Sequence, residues 1–310
     1  MSDLVKVTEK SIAPFITPKQ QDFIALIGED NLKRETSFAI QAVNANDYLS
    51  QATPQSVAKA IWNVAITGLS LNPIHKLAYI TPRKVGNNLE ALLMPSYQGL
   101  CKLLTDTGSV KTVYAHPVYK GDDFDIELGE RYSLSHKPKF LSKEITHVYA
   151  VAILHDGTKQ FEVMSAEQIS EIRDLSDGYK AFKAGRAKTA IWDSFYDEMC
   201  RKTVIKRLTK YLPKTDKWER LNEAIEVDNS IYPATLNQEE KILRLVKTSA
   251  YDDSQRSYIE AQVEAGISKV DADKIISDLE LNQLNPVTHG GQIGAKEAND
   301  AVNQRLLIED

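Results

Sequence analysis

Only two cysteines, Cys101 and Cys200, occur in the 310 residues, so no disulfide framework can hold this chain together. Each lies inside an apolar helical pattern and is predicted to be a reduced core residue. Neither has a second cysteine or histidine at ligand spacing, which argues against a shared zinc. The six histidines, His75, His116, His136, His147, His155 and His289, form no His-x-x-x-His pair. A Gly-x-x-x-x-Gly-Lys-Ser/Thr phosphate loop is also missing, so ATP hydrolysis is disfavoured. No apolar run approaches the roughly 20 residues of a membrane span, and residues 1–10 are too polar for a signal peptide. The expected location is cytoplasmic, and no cofactor is called for beyond an assisting Mg²⁺.

What is present is a chain with 42% hydrophobic and 26% charged residues, enough to bury one large domain and something smaller. The net charge of −5 hides an asymmetry. Residues 219–310 hold 9 Lys and Arg against 18 Asp and Glu, which leaves the first 218 at +4. Within that part, residues 182–218 hold 10 basic against 4 acidic side chains. A basic core with an acidic appendage suits a polyanion-binding protein; lysines that merely solvate a helix face give the same numbers.

The order of elements is helices, strands, helices. After a polar leader, helices are expected over residues 19–27 and 35–46. Thr53 and Pro54 open a firmer helix that Gly68 ends. Residues 76–81 and 89–94 are predicted as a hairpin with a turn-rich connection from Pro82 to Asn88. Ser96 caps a helix carrying Leu100, Leu103 and Leu104 up to Gly108. Strands follow at 110–119 and 124–128 around the acidic turn Gly121-Asp122-Asp123, then at 147–155 and 160–164 across Asp156-Gly157, a strong hairpin signal. Ser165 and Gln168 form a capping box for a helix to Leu175. Residues 178–185 look like a polar break, and 189–212 like one long helix. On it Ile191, Trp192, Phe195, Tyr196 and Met199 share a face whose continuation holds Lys202, Lys206 and Lys210 at i, i+4 and i+8. Like charges at that spacing repel by some tenths of a kcal/mol per pair, which an anion along the stripe would relieve. Residues 222–233 resemble a linker, and three helices are expected at 241–248, 254–265 and 268–281.

No catalytic constellation stands out. Asp122, Asp123 and Asp125 resemble a metal cluster, but acids are common in turns for local reasons. Asp193, Asp197 and Glu198 could bind Mg²⁺ or bridge to Arg201 and Lys202. Binding nucleic acid without base specificity needs only cations spaced for phosphates and flat rings for bases. Cation candidates are Arg83, Lys84, Lys102, Lys111, Arg186, Lys188, Arg201, Lys202, Lys206, Arg207 and Lys210; ring candidates are Tyr79, Tyr97 and Tyr114. Core packing with a satisfied hydroxyl remains the competing reading for each tyrosine.

Several linked motifs carry a family likeness. Ile66-Thr67-Gly68-Leu69-Ser70-Leu71-Asn72-Pro73, Leu77-Ala78-Tyr79-Ile80-Thr81-Pro82 and Ser96-Tyr97-Gln98-Gly99-Leu100 come in order, followed by His147-Val148-Tyr149-Ala150-Val151-Ala152, Gln160-Phe161-Glu162-Val163-Met164 and the block from Asp197 to Pro213. Over roughly residues 50–230 this resembles the RecT family of phage and prophage single-strand annealing recombinases. The resemblance implies an α+β fold: a small antiparallel sheet with packed helices, like the Rad52 annealing core, followed by a small all-α C-terminal module. It implies ATP-independent annealing of complementary single strands by a homo-oligomeric ring or filament. Its expected partners are single-stranded DNA and the annealed duplex, a 5′→3′ exonuclease, and the host single-strand binding protein. The domains expected are a helical oligomerisation segment at 1–50, the DNA-binding core at 51–218, a linker at 219–236, a partner-binding helical module at 237–284 and a tail at 285–310. One departure is Gln98, where the family usually has Lys or Arg, so no phosphate contact is carried over to it. The alternatives are a metal-dependent nuclease on Asp122, Asp123 and Asp125, or a non-catalytic adaptor.

Overall fold

Thr8 opens the first helix, because its hydroxyl accepts from the Ser11 amide while the Ser11 side chain returns the bond to the cap. That helix, α1 (Glu9–Ile16), occupies what the sequence suggested was a polar leader; Ile12 anchors it in the core. A computed structural model describes residues 6–85, 88–229, 234, 236–249 and 251–284. The chain divides into two units, residues 1–234 with 265–270, and residues 235–264 with 271–310. No helix among the described residues is long and apolar enough to cross a membrane.

In the larger unit, α2 (Gln20–Ile27) and α3 (Glu29–Asn44) pack on α4 (Pro54–Thr67). Phe23 meets Trp62 edge-on with centroids 4.9 Å apart. Thr53 caps α4 by accepting from the Ser56 amide, and Gly68 ends it in the left-handed region at φ +66°, as its position after the apolar stripe predicts. The buried Glu35 of α3 accepts from the Ser70 hydroxyl at 2.7 Å and the Leu71 amide at 2.8 Å, tying that helix to the chain leaving α4.

Strands β1 (Ala78–Val85) and β2 (Asn88–Pro95) pair antiparallel from Ala78↔Pro95 to Val85↔Asn88. The hairpin is longer than predicted because Pro82 lies in the strand, opposite Ala91, instead of in the turn. Both strands of a two-stranded sheet are edges, where a missing N–H is tolerated. Next come α5 (Tyr97–Asp106), β3 (Val110–Tyr119), β4 (Asp123–Glu127), β5 (Ser133–Lys137), β6 (Ile145–Leu154) and β7 (Lys159–Ser165). Strands β3, β6 and β7 form an antiparallel sheet in that order, and β4 and β5 a separate hairpin. With a single aliphatic residue, Leu134, β5 had no alternation to reveal it.

The three-stranded sheet has two apolar faces. Val113, Ala115, Val148, Ala150, Ala152 and Met164 join the main core. Val118, Tyr149, Val151 and Phe161 face the other way and are covered by Phe124 and Leu134 of the β4–β5 hairpin. The free edge at β7 is blocked where the Tyr132 hydroxyl donates to the Phe161 carbonyl (2.8 Å) and accepts from its amide (2.9 Å).

The Ser165–Gln168 capping box starts α6 (Ala166–Leu175) as expected. A helix, α7 (Asp177–Lys183), stands where a polar break was predicted. The single helix expected over 189–212 is instead α8 (Ile191–Ser194), a break at Phe195 (φ −134°, ψ 47°), α9 (Tyr196–Leu208) and a 3₁₀ turn at Thr209–Tyr211. The predicted linker is also overturned. Its first part is helix α10 (Glu219–Asn229), with Leu221 and Ala224 wholly buried; burying Leu221 alone is worth roughly 2 kcal/mol. In the second unit, α11 (Leu236–Thr248), α12 (Asp253–Ala265) and α13 (Lys269–Leu284) match the three expected helices within a few residues. Ile242, Val246, Val263, Ile276 and Leu279 are buried there, and Lys241 bridges to Glu280 at 2.7 Å. The predicted tail at 285–310 lies outside the described residues.

Candidate nucleic-acid interface

Ser96 sets the geometry on which the candidate site depends. Its hydroxyl accepts from the Gly99 amide at 2.9 Å and donates to the Lys76 carbonyl at 2.6 Å, while its own amide donates to Leu77 at 2.9 Å. The first turn of α5 is thereby fixed against the chain entering β1. Gly99 permits that approach: a Cβ there would stand 2.1 Å from the Leu77 carbonyl oxygen. Tyr97 and Tyr79 are brought to one surface as a result. Tyr79 is 43% exposed and Tyr97 half-buried.

Arg201 of α9 completes the group, its guanidinium lying over the Tyr97 ring 5.9 Å from the centroid. Such a contact is worth about 0.5–1 kcal/mol at an exposed site, and it holds the long side chain in place. Glu198, one helical turn earlier, bridges to Arg201 at 3.3 Å. Burial, then the neighbouring charges of Glu198 and Tyr97, raises the Tyr79 phenol above its ordinary value, so it stays a neutral hydrogen-bonding ring. The start of α9 is pinned to the end of β3 by the Tyr119 hydroxyl, which donates to Asp197 at 2.7 Å; burial and that bond push its pKa up to about 12. Tyrosine rings, a guanidinium and an open surface can hold bases by stacking and a phosphate by charge.

The remaining candidates do not assemble into one stripe. Lys202 is only 3% exposed and its ammonium bonds to Asp228 of α10; Lys206 reaches the other oxygen of Asp228 at 2.5 Å and Asn229 at 2.7 Å. Burial pulls the Lys202 ammonium below its ordinary value in spite of Asp228. For Asp228, burial opposes ionisation, but the two ammonium groups override it and hold the carboxyl low. The stripe of Lys202, Lys206 and Lys210 is thus corrected: the face exists, but α10 covers its first two positions. Leu221, Ala224, Ile225 and Asp228, at i, i+3, i+4 and i+7, were the signal of that cover.

Arg207 bridges to Glu162 at 2.8 Å, Arg83 lies 3.6 Å from Asp177, and Lys102 pairs with Asp106. Lys84, Lys111, Arg186, Lys188 and Lys210 are exposed. Asp122 is a structural turn residue: its carboxylate accepts from the Tyr119 amide at 2.9 Å, the Lys139 amide at 2.8 Å and His136 at 3.0 Å. These contacts, the backbone bonds first, lower its pKa to about 2. Among the described residues no group of three acidic, His or Cys side chains is placed to hold a metal. The bridge from Glu198 to Arg201 is one the sequence offered; His116 was weighed there only as a metal ligand, because an isolated polar residue on a strand carries no other pattern.

The fold is of the α+β class, with small antiparallel sheets on a core of packed helices and an aromatic and guanidinium surface formed by β1, α5 and α9. The family model of the RecT family matches residues 33–242, and the chain belongs to that family. It is 30% identical over 275 residues to Protein RecT of Escherichia coli (strain K12), an alignment spanning 82% of this chain and 96% of the relative. Membership makes it a DNA-binding protein of recombination, active in single-strand annealing and in oligomeric form.

Proposed function

We propose that the protein anneals complementary single strands without ATP and without cutting them, holding one strand on the surface formed by Tyr79, Tyr97 and Arg201. The observation that carries this reading is the Arg201 guanidinium held over Tyr97 at 5.9 Å, with Tyr79 exposed beside it. Stacking leaves base edges open for a second strand, so sequence recognition belongs to base pairing and the protein supplies charge and alignment. The working form is a ring or filament of identical subunits, with residues 1–50 contributing to assembly. A 5′→3′ exonuclease supplies the single strands, and the acidic C-terminal helices dock that enzyme or the host single-strand binding protein. Mg²⁺ assists DNA binding at most, and the site of action is the cytoplasm.

The test mixes two complementary oligonucleotides with the protein, in EDTA and with no nucleotide, and follows annealing against the unaided rate. Acceleration is expected. Arg201→Gln should lower both the annealing rate and the slope of log K against log salt, the latter by about 0.7 for one phosphate contact on a single strand. Dependence on ATP, strand cleavage, or an unchanged slope in Arg201→Gln would overturn the reading.

A further inference from the structure

The sheet order leaves β3 as a free edge strand, and its outward row is unusual. Tyr114 is 39% exposed and His116 is also exposed, although the same face one strand further in is covered by Phe124 and Leu134. Their rings are 5.6 Å apart and tilted by 51°, so neither covers the other, and His116 leans on Tyr149 at 5.9 Å. The Tyr114 hydroxyl has no hydrogen-bond partner among the described residues. Their ring separation of 5.6 Å is well above the 3.4 Å rise of a duplex strand, a spacing suited to successive bases of a stretched single strand.

The far end of the same strand also reaches the surface already described. Tyr119, three residues past His116 on the same strand, bonds to Asp197 in the first turn of α9, the helix that carries Arg201. Burial first, and the Arg201 charge next, depress the His116 pKa, so the imidazole is predominantly neutral at pH 7 and offers a flat ring more than a charge.

We propose that Tyr114 and His116 form a second base-stacking step, continuing the single strand held at Tyr79, Tyr97 and Arg201 around the free edge of β3. The ligand is a nucleobase of single-stranded DNA, taken without base preference because every base has a π-face. This step rests on the reading of the Tyr97–Arg201 surface as the strand's path.

The experiment titrates the full chain against a fluorescent oligonucleotide at several salt concentrations. Tyr114→Leu and His116→Ala should each weaken binding about five-fold or more at every salt, with the slope of log K against log salt unchanged, because a ring releases no counterion. Tyr114→Phe should bind as the parent does, since it keeps the ring and loses only the unpartnered hydroxyl. Leucine retains apolar bulk, and unchanged thermal unfolding of that variant shows that its defect lies in binding. Parental affinity in both Tyr114→Leu and His116→Ala, beside an Arg201→Gln variant that is impaired, overturns this step and leaves the Tyr97–Arg201 surface standing. Parental affinity and slope in all three overturns that surface and this step together.

Discussion

Replacing Asp228 by asparagine removes the carboxylate shared by two ammonium groups, Lys202 at 3% exposure and Lys206 at 2.5 Å. Lys206 is partly exposed and can turn toward water, but Lys202 has no such exit. Breaking a buried pair from one side costs about 3–5 kcal/mol, because the surviving charge stays buried and uncompensated. For a unit of this size each kcal/mol moves the melting midpoint by roughly 2–4 °C, so Asp228→Asn should lower it by roughly 6–20 °C. All three tryptophans, Trp62, Trp192 and Trp218, belong to the larger unit, so tryptophan fluorescence during thermal unfolding reports on that unit. Lys202→Met should cost less, since Asp228 keeps Lys206 while an apolar chain fills the space. The pH dependence has a definite sign. The folded carboxyl lies below its ordinary value, so its contribution is complete above about pH 4 and is lost as pH falls through the folded pKa. An unchanged midpoint in Asp228→Asn refutes the buried ion pair. So does a Lys202→Met variant with parental stability whose salt slope for DNA binding drops by about 0.7, for that would return Lys202 to the phosphate track.

Three further outcomes are expected. Gly99→Ala places a Cβ 2.1 Å from the Leu77 carbonyl oxygen; the backbone must move, at a cost of about 1–3 kcal/mol, and urea unfolding should show it together with weaker DNA binding as Tyr97 shifts. Burial pushes the Cys101 and Cys200 thiols up to about 11 and about 12, so a thiol reagent at pH 8 should label both slowly in the native protein and fully in urea; rapid native labelling would contradict the packing of α5 and α9. Asp122→Asn removes the ionic acceptor for the Tyr119 and Lys139 amides and for His136, so proteolysis within residues 120–140 should accelerate. In the parent the same loosening should set in as pH falls from about 4 toward about 2.

Signals contained within a few residues proved legible in the sequence. The Ser165–Gln168 box, the Thr53 cap with Gly68 as terminator, and the Asp156-Gly157 turn each decide a boundary through bonds between near neighbours. Tyr79, Tyr97 and Arg201 could be nominated from residue chemistry as rings for bases and a cation for phosphate, within motifs that resemble a family's. The helix α7, the break at Phe195 and strand β5 carried no such local signal; just before β5, the chain is held where Tyr132 reaches Phe161.

Residue order alone therefore determined the helices and strands whose ends carry local signals, and that basic charge precedes an acidic end. Which side of each element meets solvent was decided only by the tertiary structure. The lysines of α9 show why: their spacing defines a face, but whether that face meets DNA or a carboxylate depends on α10, some 20 residues away in the chain and in direct contact across the core. Burial is a property of the neighbours a side chain acquires, and those neighbours are chosen when the chain closes on itself.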